Sequence, residues 1–204
     1  VSAIDKAYKI DHSLGILDEM GVRYLTVPRG PSLLVVGPDR VGKTVLVNHI
    51  STILGVPQFK CPTEKQIFKQ GGRSSLVFDY TMTRFLQQTG YRFISDRAYP
   101  CEWVYSKVFN RETDDQLLKM IDDGHANLGT VILNVFSSVP PSEEDDLVPA
   151  DKYWDVTRKY QDFKAWTSCD VVTVDTAQMI QAFQDGEDIS KRVAEEVLEN
   201  MGWL

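Results

Sequence analysis

The sequence predicts an α/β protein of three layers, a parallel sheet with helices on both faces. Three observations predict it. "SLLVVG" at 32–37 is an unbroken apolar run, as expected of a strand buried on both sides. Strand-like and helix-like segments alternate from there to the end of the chain, the pattern of parallel strands joined by crossover helices. A loop, "GPDRVGKT" at 37–44, joins the apolar run directly to a helix-like segment.

Taken in order, 4–20 space Ile4, Ala7, Tyr8, Leu14 and Leu17 as a helix would, with Gly21 as a stop. "VRYLTV" at 22–27 reads as a short strand before a "PRGP" turn. These make an N-terminal extension, 1–30, packed on a core of 31–204. In the core, "KTVLVNHISTIL" at 43–54 follows the loop as a helix, and a second helix at 74–90 ends on Gly90. "YRFISDR" at 91–97 is the next strand; a helix at 112–124, closed by Gly124, precedes the strand "TVILNVFS" at 130–137. A proline- and acid-rich stretch then leads to a helix at 154–168, a strand at 170–176 and a closing helix at 188–202. There is no internal repeat.

A chain of 204 residues is long enough for a sizeable core and short enough for one domain. The net charge of -7 argues against a broad nucleic-acid-binding face, which needs Lys and Arg to neutralise phosphates. Cys61, Cys101 and Cys169 are an odd, widely spaced set with neither a metal-ligand nor a disulfide pattern. No apolar stretch approaches the roughly 18 residues of a membrane span. "VSAIDKAYKIDHS" lacks the apolar core of a signal peptide, so a cytoplasmic location and no membrane partner are expected. His12, His49 and His125 are scattered and read as surface or packing residues.

The loop Gly37-Pro38-Asp39-Arg40-Val41-Gly42-Lys43-Thr44 fits G-x-x-x-x-G-K-[ST] in its strand-to-helix setting. Its glycines let backbone N–H groups turn inward around phosphate oxygens, and the following helix adds its positive dipole end. Lys43 reaches the outer phosphates, and the Thr44 hydroxyl suits the Mg²⁺ that accompanies a nucleoside triphosphate. ATP with Mg²⁺ is therefore the expected ligand. The next strand ends in Asp96-Arg97 rather than an acid pair, which suits an acceptor site: a carboxylate near metal or acceptor, and a guanidinium for a second anion. No Asn-Lys-x-Asp guanine motif follows.

With these residues in view, the chain from about 31 to 204 resembles the thymidylate kinase group of P-loop nucleotide kinases, a phage deoxynucleotide kinase included, and more loosely the deoxynucleoside kinases. The resemblance implies that Asp39 sits by the acceptor sugar, Arg40 approaches the transferring phosphate, Arg97 binds the acceptor phosphate and Asp96 joins Thr44 at the metal. It implies that Phe78 stacks on a pyrimidine. At the family's base-reading arginine this chain has Met82, with Arg84 two residues on. Tyr99, Glu102, Trp103 and Tyr105 are further candidates for a base pocket. The segment 139–153 takes the place of the lid; its acids Glu143 to Asp146 read as a solvated face, and Lys152, Arg158 and Lys159 are candidate phosphate contacts. Asp175 and Thr176 fall at the family's adenine-side loop. A homodimer is implied by resemblance only.

The expected reaction is transfer of the γ-phosphoryl of Mg-ATP to a deoxynucleoside monophosphate, thymidylate or a 5-substituted dUMP, a small-molecule partner. A deoxynucleoside acceptor is an alternative, with Glu64 and Glu102 the candidate carboxylates for its 5′-hydroxyl proton; Lys60 or Glu64 can reach the acceptor site. A third reading is a kinase acting on 5-hydroxymethyluracil in DNA, under which nucleic acid becomes a partner; a phage-encoded enzyme would work in host cytoplasm.

Overall fold

The computed structural model describes residues 32–60, 74–140 and 149–204. The expected N-terminal helix and strand, Cys61, Glu64 and the acids of the lid lie outside the described residues.

Five strands form one parallel sheet in the order β2-β3-β1-β4-β5. They are β1 (Leu33–Val36), β2 (Gln58–Lys60), β3 (Ile94–Asp96), β4 (Val131–Phe136) and β5 (Asp170–Asp175). The helices are α1 (Lys43–Leu54), α2 (Ser74–Thr89), α3 (Tyr99–Val108), α4 (Asp115–Asn127), α5 (Tyr153–Trp166), α6 (Ala177–Gln184) and α7 (Ser190–Asn200). The alternation of side chains along a strand divides the core. Leu34, Val36 and Ile132 pack with residues of α2, α3, α4 and α5, while Leu33, Val35, Leu133 and Val135 pack with residues of α1 and α7. Because both faces are covered, every residue of β1 is buried.

Register places the site. Val35 is opposite Asp96 of β3 and Val36 opposite Asn134 of β4, so the phosphate loop, Asp96 and the end of β4 emerge together at the carboxyl edge of the sheet. A switch in strand order at such an edge opens a crevice for ligands. Here β3 and β4 lie on opposite sides of β1.

The structure departs from the sequence reading in several elements. Strand β3 covers three residues where seven were expected. Edge strand β2 was not foreseen: its three residues are all exposed and carry no burial pattern. Nor were α3 and α6. Pro100 falls in the first turn of α3, where its missing N–H costs nothing. Helix α4 runs past Gly124 to Asn127. A Cβ on Gly124 would lie 2.7 Å from the Thr83 methyl, so this glycine allows α2 and α4 to approach closely rather than ending the helix.

Candidate active site

Two glycines set the loop's shape. Gly37 has φ 141°, and a Cβ there would lie 1.8 Å from the Val135 carbonyl oxygen, so no side chain fits where the loop crosses β4. Gly42 has φ 82°, and its Cβ would fall 2.2 Å from the Met179 Cε. Arg40 (φ 63°) and Arg97 (φ 72°) also hold left-handed backbone, which costs a non-glycine residue about 1 kcal/mol or more. Both line one cleft of 230 Å³ with Asp39, Gly42, Lys43, Thr44, Val45, Lys60 and Asp96.

Asp39 stands between two cations. Its Oδ1 accepts from the Arg97 guanidinium and lies 3.7 Å from the Lys43 Nζ, while Oδ2 accepts from the Tyr105 hydroxyl at 3.3 Å. Lys43 is only 5% exposed, and its ammonium donates to the Pro38 carbonyl. Burial lowers its pKa, against the raising pull of Asp39. Burial works most strongly against the charge of Arg97, but Asp39, Cys101, Tyr105 and Tyr160 together outweigh it and the pKa is raised. The Tyr105 hydroxyl is pushed well up by burial and then by Asp39, so it remains a donor.

Across the cleft, the Thr44 hydroxyl donates to Asp96 Oδ2 at 2.7 Å, and the Lys60 Nζ lies 3.8 Å from the same oxygen. The other oxygen, Asp96 Oδ1, is buried and has no hydrogen-bond partner among the described residues. A buried carboxylate oxygen left open beside a hydroxyl is a hard oxygen pair of the kind Mg²⁺ takes, and these residues fit the ion. Among the described residues no three His, Cys, Asp or Glu side chains form a metal cluster. The donor set thus suits an ion whose remaining ligands are phosphate oxygens and water. Among the described residues, the cleft is lined by Arg40, Lys43, Lys60 and Arg97 and by the carboxylates of Asp39 and Asp96.

Of the residues singled out in the sequence, the structure brings together the whole of 37–44, Asp96, Arg97 and Tyr105. Tyr99 is elsewhere: it is 1% exposed, stacks on His125 at 5.5 Å and donates to Asp122 at 2.6 Å. Trp103 packs against Phe163 and Trp166 in the core. Glu102 is paired with Arg111 at 3.5 Å, and Phe78 stands 39% exposed on α2. Lys152 and Arg158 pair with Asp155, and Lys159 with Asp162, all within the helical segment that begins at Ala150. Asp175 accepts from the backbone N–H groups of Ser138 and Ala177. Thr176 is wholly buried and donates to the carbonyl of Val41 in the phosphate loop, a contact that no local pattern announces.

No protein-family model matches the chain. Over 130 residues it is 27% identical to the tyrosine–tRNA ligase of Cutibacterium acnes, covering 64% of this chain. The chain spans only 28% of that ligase, and the match assigns no family. Solved structures are more telling about the fold. The YorR protein of Bacillus subtilis, in complex with phosphorylated GDP, superposes with a TM-score of 0.60 at 17% identity, over 83% of this chain and 94% of that one. A deoxyadenosine kinase from M. mycoides, with the products dCMP and dCDP, gives 0.51 at 16% identity over 83% and 99%. Shikimate kinase from Aquifex aeolicus gives 0.51 at 13% identity over 83% and 95%. The likeness is one of fold: a parallel sheet covered by helices on both faces, consistent with a P-loop kinase architecture.

Proposed function

We propose that the protein transfers the γ-phosphoryl group of ATP to the phosphate of a deoxynucleoside monophosphate, with thymine or a 5-substituted uracil as the base. The observation that carries this reading is the flanking of Asp39 by Lys43 on the loop and Arg97 at the end of β3. One cation belongs to the phosphate loop and the other to the neighbouring strand, which supports two anion subsites a few ångströms apart. The nucleotides bound to YorR and to the deoxyadenosine kinase are in keeping with a nucleotide in this cleft.

In the reaction, the bond from the γ-phosphorus to its bridging oxygen breaks, and one forms to an oxygen of the acceptor phosphate, leaving ADP. That acceptor is already ionised near pH 7, so no general base is needed. Little covalent chemistry falls to the protein; positioning and charge neutralisation dominate. The loop N–H groups and Lys43 hold the donor phosphates, Arg40 meets the transferring group, and Arg97 with Lys60 orients the acceptor anion. In this reading Asp39 is assigned to the acceptor sugar, and Tyr105, which donates to Asp39, to the base side of the same site. Mg²⁺, held by Thr44 and Asp96, would neutralise phosphate charge.

Asp96 Oδ1 favours a second reading. A deoxynucleoside 5′-hydroxyl must lose a proton on transfer, and a buried carboxylate oxygen with no partner among the described residues can take it.

The test is ADP release from Mg-ATP with deoxynucleoside monophosphates, free deoxynucleosides, or DNA containing 5-hydroxymethyluracil. Turnover confined to pyrimidine monophosphates is expected. Turnover confined to nucleosides or DNA would overturn the monophosphate assignment, and no turnover with any acceptor would overturn the kinase reading. A homodimer in the cytoplasm completes the proposal and is read by light scattering and fractionation.

A further inference from the structure

The phosphate loop is held from outside by a residue 135 positions further along the chain, Thr176 at the start of α6. The Thr176 hydroxyl has one proton, shared between the carbonyls of Val41 at 2.9 Å and Phe136 at 3.0 Å. The Thr176 N–H donates to the same Phe136 oxygen at 2.8 Å, so the residue is fastened to the end of β4 before it reaches the loop. Thr176 is fully buried, and no water can replace it without a cavity.

What this does to the loop follows from peptide geometry. The carbonyl of Val41 and the N–H of Gly42 belong to one planar trans unit and point in opposite directions. A carbonyl held outward by Thr176 therefore turns the Gly42 N–H toward the cleft, the side on which the loop must present donors to phosphate oxygens. Gly42 does not by itself fix this orientation: it lies at φ 82°, and glycine adopts either sign of φ readily. Met179, three residues further along the chain, packs against Gly42: its Cε lies where a Cβ on that glycine would fall.

We infer that Thr176 is a positioning residue for nucleoside-triphosphate binding, aiming the Gly42 N–H by holding the Val41 carbonyl. This rests on the reading that the loop binds a triphosphate. It assigns Thr176 to the phosphates rather than to the base.

The experiment compares the full chain with Thr176→Val, which keeps the shape and removes the hydroxyl, and Thr176→Ser, which keeps the hydroxyl. Mg-ATP binding is measured by calorimetry, steady-state KM for ATP and acceptor by ADP release, and folding by thermal melting. Thr176→Val is expected to weaken Mg-ATP binding and raise its KM about tenfold, the worth of one buried hydrogen bond. The acceptor KM stays within about twofold, and Thr176→Ser restores binding to within about threefold. Thr176→Ala serves as the hydroxyl-free variant if the valine form does not fold. Wild-type affinity in a folded hydroxyl-free variant would overturn the inference, as would equal losses for ATP and acceptor, or no recovery in Thr176→Ser. Failure of the wild-type chain to bind Mg-ATP would overturn the triphosphate reading itself, and this inference with it.

Discussion

The Thr44 hydroxyl lies 2.7 Å from Asp96 Oδ2, tying the last residue of the phosphate loop to the end of β3, while Asp96 Oδ1 is left buried with no partner among the described residues. Replacing Asp96 by Asn keeps the shape but removes the negative charge that suits a divalent cation. Asp96→Asn is therefore expected to raise the Mg²⁺ concentration for half-maximal activity at least about tenfold, read by titrating ADP release with Mg²⁺. An unchanged Mg²⁺ requirement would remove Asp96 from the metal site.

Lys43 is a buried cation whose charge opposes burial, and Asp39 keeps Arg97 as a partner when Lys43 is removed. Lys43→Ala should consequently remain folded, with turnover lowered about 10²- to 10³-fold, the usual loss for one charge-stabilising donor. Circular dichroism and ADP release check the two halves. Wild-type turnover in this variant would place the chemistry elsewhere.

Arg97→Lys keeps a positive charge but loses the planar fork that binds an anion through two N–H groups. The acceptor KM is expected to rise about 10- to 100-fold while the KM for ATP moves less than about threefold. The opposite split would assign Arg97 to the donor.

Asp79 and His125 give opposite pH slopes. Burial raises the Asp79 pKa to about 7 from 3.8, against a hydrogen bond from the backbone of Tyr99. The folded chain therefore holds a proton that the unfolded chain has lost between those values, and stability falls as pH rises through that window. Burial lowers the His125 pKa to about 4 from 6.5, so its neutral ring favours the fold and stability falls as pH drops through that window. The Thr83 hydroxyl donates to the Asp79 carbonyl at 2.8 Å and so accepts from His125 Nε2, also at 2.8 Å. Asp79→Asn should remove the decline on the alkaline side and be more stable than wild type at pH 8. Urea unfolding at pH 5, 6.5 and 8 checks this, and an unchanged slope between pH 6.5 and 8 would show that Asp79 does not titrate there.

Asp122 joins three segments. Its fully buried carboxylate accepts from the hydroxyls of Tyr99 and Thr167, from the Ser168 N–H at 2.8 Å and from the Lys119 Nζ at 2.9 Å. Burial would raise its pKa, but these donors together hold it below the usual range. Asp122→Ala strands several buried donors and is expected to cost about 3–5 kcal/mol in urea unfolding, with the KM values unchanged in the folded fraction. A loss below about 1 kcal/mol would mean that water satisfies these groups.

The sequence by itself determined the parts that are local. Helix α1 runs over the residues its apolar spacing marks, from the lysine of the loop to the residue before Gly55, because loop, strand and helix are consecutive in the chain. The phosphate loop was legible for the same reason: eight adjacent residues carry its backbone geometry and its chemistry. Short β2 and the aromatic-rich α3 were not legible, since three exposed residues show no period and Pro100 resembles a break until its place in the first helical turn is known. Tertiary structure alone decided which candidates meet. The same aromatic segment sends Tyr105 to Asp39 and Tyr99 to Asp122, because side chains six residues apart on a helix face different directions. The contacts of Arg97 with Asp39, of Asp96 with Thr44 and of Thr176 with Val41 depend on strand order and register, which bring the carboxyl ends of separate strands to one edge. No window of sequence contains both partners of any of these pairs, and that distance is why the fold had to supply them.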